Sequence, residues 1–132
     1  MLQVTVVTVG NLKEAKLPDD PSKSEIQTAL EDEGRRMLSV IPPRSYRIAL
    51  CVEGKQLSSE QLAKKFEEIG QMHSEVVLVI GSSFGLAPAV KSACDLRLSV
   101  SALTFPHQLM RVILLEATYR AMTIIKGTPY HK

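Results

Sequence analysis

The sequence has no tryptophan, and three phenylalanines and three tyrosines are its only aromatic residues. It has two cysteines, Cys51 and Cys94, and no C-x-x-C pair. That excludes a disulfide framework and the usual zinc spacings, and agrees with a reducing compartment. We therefore expect no bound metal. No apolar run approaches the roughly 20 residues needed to cross a bilayer as a helix, so no membrane association is expected. Met1 to Gly10 has neither a basic leader nor a small-residue cleavage site; it reads as a strand, and the expected location is the cytoplasm. An excess of one charge sign is also missing. Sixteen Lys/Arg face 14 Asp/Glu, a net +2, too small on its own to argue for nucleic-acid binding. Only the end of the chain is biased: Arg111, Arg120, Lys126 and Lys132 stand against Glu116 alone after residue 105. That end suits phosphate, and equally the complementing of a helix C-terminus.

Hydrophobic residues make up 45% of the 132, enough for one core, and residues 1–132 read as a single domain. Strands and helices alternate. Leu2–Val9 is rich in β-branched residues and closes at Gly10, the pattern of a buried strand. A polar loop with Pro18 and Pro21 follows. Ser22-x-x-Glu25 is a capping box opening a helix with Ile26, Ala29, Leu30, Met37 and Leu38 on one face, stopped by Pro42 and Pro43. Tyr46–Val52 reads as the second strand, with Glu53-Gly54-Lys55 leaving it. Ser58-x-x-Gln61 opens a helix expected to end at Gly70. Val76–Ile80 is five aliphatics in a row, the mark of a central strand covered on both faces. A tight loop from Gly81 to Gly85, a short helix in Leu86–Ala93 and a short strand at Leu96–Val100 come next. The order predicts an α/β fold with a mainly parallel sheet.

The last helix, from about Pro106 to about Lys126 and closed by Gly127 and Pro129, is apolar around most of its circumference. Leu109, Met110, Val112, Ile113, Leu114, Leu115, Ala117, Tyr119, Ala121, Met122, Ile124 and Ile125 together go most of the way round the cylinder. One side packs on the sheet, and a domain this small has little left to cover the rest. The expectation is self-association through this helix, with two-fold symmetry.

Three segments carry candidate chemistry. Gly81-Ser82-Ser83-Phe84-Gly85 satisfies G-x-S-x-G, with Ser83 as a hydrolase nucleophile, His107 or His131 as base and Asp95 or Glu116 as orienting acid. The hydrolase fold needs a longer chain and a larger sheet, which argues against this. The same loop follows a parallel strand, where glycines admit a ligand close to the backbone, so Gly81 and Gly85 suit a cofactor pocket. Ser99–Gln108 is a run of small and apolar residues, fit to wall an adenine-sized pocket whose ring edge is read by backbone groups; His107 within it reads as a structural histidine. The ending Gly127-Thr128-Pro129-Tyr130-His131-Lys132 combines a rigid proline, an aromatic ring, a titratable ring and a cation. Those are groups that stack on a base, exchange a proton and contact a phosphate.

Ala49–Lys55 with Ser58-Ser59-Glu60, Val79-Ile80-Gly81-x-x-x-Gly85-Leu86, Leu98–Gln108, and Arg111-Val112 through Tyr119-Arg120-Ala121 to Gly127-x-Pro129-Tyr130-His131-Lys132 together resemble the RlmH family. These are SPOUT-superfamily enzymes that methylate N3 of a pseudouridine in large-subunit ribosomal RNA. The resemblance spans nearly all of residues 45–132. It implies a C-terminal trefoil knot, helices on both faces of the sheet, and a homodimer packed through the terminal helix. It implies S-adenosyl-L-methionine as methyl donor, contacted by Leu50, Gly81 and the run Val100, Ser101, Ala102, Leu103, Thr104 and Phe105. It also implies that Arg120, Tyr130 and His131 serve the RNA and the reaction, with the tail of one subunit completing the pocket of the other. The expected substrate is the assembled ribosome. There are two departures. Ser82 stands where the family usually has a second glycine. The N-terminal part is shortened, because Val9–Glu14 passes almost directly to Asp19-Asp20-Pro21 where a helix and a strand are usual; an open sheet edge is expected there. A binding protein of the same fold, catalytically impaired by the shortened N-terminal region, is the alternative.

Overall fold

A computed structural model describes residues 2–8, 20, 22–82 and 84–131. Among the described residues four strands alternate with four helices: β1 (Gln3–Thr8), α1 (Lys23–Val40), β2 (Tyr46–Gln56), α2 (Ser59–Met72), β3 (Glu75–Ile80), α3 (Pro88–Ser92), β4 (Leu96–Ser99) and α4 (His107–Lys126). The strands form one parallel sheet in the order β1-β3-β2-β4. All four expected strands are present, and the parallel α/β class holds. Among the described residues β1 pairs with β3 alone. Val9, Gly10, the shortened stretch to Asp19, and Pro21 lie outside the described residues, as do Ser83 and Lys132.

The period-2 pattern of β3 explains the layering. Val76, Leu78 and Ile80 point to one face, where they pack with Ile48, Leu62, Phe66, Ile69, Leu114 and Ala121 of β2, α2 and α4. Val77 and Val79 point to the other, with Ala49, Met37, Ile41 and Val90 around them. Helices thus cover both faces of the sheet, which is why β3 reads as an unbroken apolar run. The capping boxes at Ser22/Glu25 and Ser58/Gln61 both form.

Three expectations are corrected. Gly70 does not end α2, which runs on to Met72 and turns at His73. A helical glycine costs only about 1 kcal/mol relative to alanine, and the packing of Phe66 and Ile69 outweighs it. Pro106 is the N-cap of α4 rather than its first helical residue. Finally, β2 does not stop at Val52. It bulges, so that Leu98 of β4 pairs with Leu50 before the bulge and with Lys55 after it. One residue in the inward stripe of α1 was also not foreseen. Glu33 is buried, and desolvation pushes its carboxyl up to about 7 against the opposing pull of Arg36.

Candidate functional site

The bulge in β2, the loop after β3 and the segment after β4 meet at the C-terminal edge of the sheet, where ligands of open α/β sheets bind. They enclose a cavity of about 670 Å³, within the range for small-molecule and cofactor sites. Of the nine positions expected to contact a cofactor, Leu50, Gly81, Gly85, Val100, Ser101, Leu103, Thr104 and Phe105 line it; Ala102 does not. Its walls are mostly apolar, with Ile80, Leu86, Leu98 and Met110 completing them.

Local chemistry dictates the loop after β3. A Cβ at Gly81 would sit 2.3 Å from the carbonyl oxygen of Gly85, so only glycine lets the two backbones approach. Gly85 itself has φ +93°, a conformation costly for other residues. Ser82 builds the turn. Its Oγ accepts from the Phe84 N–H at 3.2 Å, and its carbonyl accepts from the Gly85 N–H at 2.9 Å. In the segment after β4, Ser99 Oγ donates to the Ser101 carbonyl at 3.1 Å. Ser101 Oγ in turn accepts from the Leu103 N–H at 3.0 Å. Two serines thereby hold an otherwise irregular stretch in one shape.

Sequence reading missed the charged side of this cavity. Lys91 of α3 and Glu53 of the bulge both line it and form an ion pair. The hydrogen bond from Lys91 holds the Glu53 carboxyl below its ordinary value. The Glu-Gly-Lys motif was visible, but nothing in the local pattern tied it to a lysine 38 residues on. Cys51 also lines the cavity; burial pushes its thiol up, so it is an uncharged wall group at neutral pH. Among the described residues no group of three His, Cys, Asp or Glu is placed to hold a metal ion.

Arg120, Tyr130 and His131 form a second cluster, and none of them lines the cavity of their own chain. The tail after Gly127 folds back over α4. Arg120 grips Glu116 with two bonds, Nε to Oε1 at 3.1 Å and Nη2 to Oε2 at 3.3 Å. Tyr130 donates its hydroxyl to Glu116 Oε2 at 2.9 Å. The Arg120 guanidinium lies 4.9 Å from the centre of the Tyr130 ring, and Tyr119 meets that ring edge-on at 4.8 Å. His131 is bonded on both ring nitrogens, to Arg120 Nη1 at 3.0 Å through Nδ1 and to Glu60 Oε1 at 2.6 Å through Nε2. These bonds hold both carboxyls below their ordinary values, Glu60 first through the His131 bond and Glu116 first through the Arg120 bond. Glu60 and Glu116 had no place in the reading of the tail, because partners 71 and 14 residues away in sequence leave no local signal.

The hydrolase arrangement finds no support here. Asp95 accepts from the backbone N–H of Arg47 at 2.9 Å, Glu116 is taken by Arg120 and Tyr130, and Ser83 lies outside the described residues. His107 lines the cavity at the start of α4.

A three-layer parallel α/β domain with a glycine-shaped, largely apolar slot at its strand C-termini has the architecture of a protein that binds a small molecule or cofactor. Comparison with known proteins gives the family. The family described as "Predicted SPOUT methyltransferase" matches residues 2–131. Ribosomal RNA large subunit methyltransferase H of Streptococcus thermophilus is 47% identical over 122 residues, covering 92% of this chain and 77% of the relative. Its namesake from Limosilactobacillus reuteri is 44% identical over 125 residues, 94% of this chain and 79% of that one. The chain belongs to the SPOUT methyltransferase family.

Proposed function

We propose that this protein transfers a methyl group from S-adenosyl-L-methionine to large-subunit ribosomal RNA, at N3 of a pseudouridine in the assembled ribosome, and that it works in the cytoplasm as a homodimer with a C-terminal knot. The names of the relatives support ribosomal RNA as the substrate class. One observation carries the reading: eight of the nine expected cofactor positions converge on one cavity, while Arg120, Tyr130 and His131 assemble outside it. A tail that does not enter its own slot suits a site completed by a second copy.

The cavity fits the donor. Its volume, its apolar walls and the close approach enforced at Gly81 suit an adenosyl group lying against backbone. Leu50, Val100, Leu103 and Phe105 would give the apolar walls, and the backbone from Val100 to Phe105 would read the ring edge. When bound, S-adenosylmethionine supplies a methyl group already activated on a sulfonium. The chain then has to align the acceptor and handle the N3 proton. Alignment contributes up to about 7–11 kcal/mol in favourable cases, and a positioned base about 10²–10⁴-fold. His131 is the group for the proton, Tyr130 stacks on the exposed base, and Arg120 orients an anion by its fork of donors.

The dimer surface is the side of α4 away from the sheet. Leu109, Val112, Leu115 and Tyr119 are exposed there, a stripe at helical spacing on a helix that already buries Leu114 and Ala121 on its other side. No helix among the described residues is long and apolar enough to cross a membrane.

Two measurements test the reading. Calorimetry should show one S-adenosylmethionine site per chain, and purified protein should methylate ribosomes from a strain lacking the modification. Failure to bind the cofactor would reject the proposal. Binding without transfer would establish the impaired binding protein instead.

A further inference from the structure

His131 has partners that between them leave a single arrangement of its protons. Arg120 can only donate, so Nδ1, 3.0 Å from Nη1, is an acceptor and carries no hydrogen. The ring's proton is therefore on Nε2, where it is donated to the Glu60 carboxylate at 2.6 Å. Arg120 alone does not secure this. It also holds Glu116 by two bonds, and it is the group that turns toward an anion in the reading above. Once it turns, only Glu60 still fixes the ring. Glu60 sits in the first turn of α2, directly after the chain leaves β2, on an element packed into the core through Leu62, Phe66 and Ile69.

We propose that Glu60 is the positioning residue of the tail: it anchors the Nε2–H of His131 to the rigid start of α2 and so keeps the bare Nδ1 presented as the ring's proton acceptor. This rests on the reading that His131 serves the reaction. With Arg120 drawn to an anion, the Nδ1 lone pair takes the N3 proton of the substrate. The N–H bonding pair stays on N3, and the Nε2–H bond to Glu60 is unbroken throughout. Carboxylates orient histidines in this way elsewhere, setting which nitrogen is free.

The test is a substitution at Glu60, whose side chain is 64% exposed; exposed pairs contribute little to folding, so the variants should fold. Ring ¹⁵N spectra of histidine-labelled protein at pH 8 report the tautomer without any substrate. The wild type should show His131 as the Nε2–H form alone. Glu60→Gln, whose amide oxygen still accepts, should preserve that form, and Glu60→Ala should give a mixture. In methyl transfer, Glu60→Ala should lower kcat by about 10–100-fold, the loss typical for partners that orient metal-bound histidines, with S-adenosylmethionine affinity unchanged and most of the rate restored in Glu60→Gln. A wild-type spectrum with the proton on Nδ1, or an unchanged spectrum and kcat in Glu60→Ala, would overturn the proposal. A full rate in His131→Ala would overturn the catalytic reading of the tail, and with it the catalytic half of this one. The tautomer result would then bear on ring orientation alone.

Discussion

The slot at the strand ends and the tail cluster over α4 are built by opposite means. The slot is made mostly of backbone, glycine and aliphatic side chains continuous with the core, with the Lys91–Glu53 pair on one side: Ile80, Leu86 and Leu98 line it and are themselves buried. Its shape is therefore set by packing, which resists small changes. The tail cluster is made of charged and aromatic side chains at the surface, Glu116, Arg120, Tyr130 and Glu60, held by hydrogen bonds individually of low stability. A rigid half suits a cofactor that is always the same. A half held by exchangeable polar contacts suits a large substrate that must displace some of them to enter.

Substitutions should separate the two halves. The largest effect is expected at Gly81. A side chain there collides with the Gly85 carbonyl at 2.3 Å, so Gly81→Val should abolish cofactor binding in calorimetry and lower stability by about 1–3 kcal/mol through overpacking. Tight binding by this variant would break the account of the slot. His131→Ala should cut transfer by about 10²–10⁴-fold yet leave cofactor affinity and the melting temperature near wild type. A lost cofactor site in that variant would show that slot and tail are one unit. Leu115→Asp, in the exposed stripe of α4, should dissociate the dimer in sedimentation velocity and remove transfer by separating each slot from the other chain's tail.

The smallest effect belongs to Glu33, away from both. Its carboxyl titrates near 7 in the fold against 4.5 ordinarily, so the native state binds more protons than the unfolded one between those values. Stability should fall as pH rises from about 4.5 to about 7 and then level off. Glu33→Gln should remove that slope and, after allowing for the carboxyl's partial solvation, gain about 1 kcal/mol at pH 8, as read from urea melts at the two pH values. Transfer activity should be unaffected, which makes this variant the control for stability changes that touch neither half.

Most of the fold was legible because its signals are local. Five aliphatics at Val76–Ile80, two capping boxes and Gly127 after a long apolar helix each state their own structure. Gly81, Gly85 and the Ser99–Gln108 run suggested a pocket locally, but a plain turn and an ordinary buried loop fit those residues as well; the Val100–Phe105 contacts came from the resemblance. The β2 bulge was not, because it is a register fact, visible only when Leu98 pairs with both Leu50 and Lys55. The Lys91–Glu53 and Glu60–His131 contacts were not, because each joins elements brought together by topology. The burial of Glu33 was not foreseen, since nothing in the local pattern marks a carboxylate within an inward stripe as buried. The resemblance over residues 45–132 supplied what local signals lack, implying that the tail and the slot are parts of one site.

The central claim is that a working site combines the slot of one chain with the tail of another, and subunit mixing tests it most directly. Gly81→Val chains, with a sound tail, are unfolded and refolded together with His131→Ala chains, with a sound slot, each preparation being inactive alone. If the tail acts on the neighbouring slot, random pairing regenerates one complete site in half of the dimers, and roughly a quarter of wild-type transfer returns. If each tail serves its own slot, no mixed dimer holds a complete site, and activity that stays at the level of the separate variants would contradict the account.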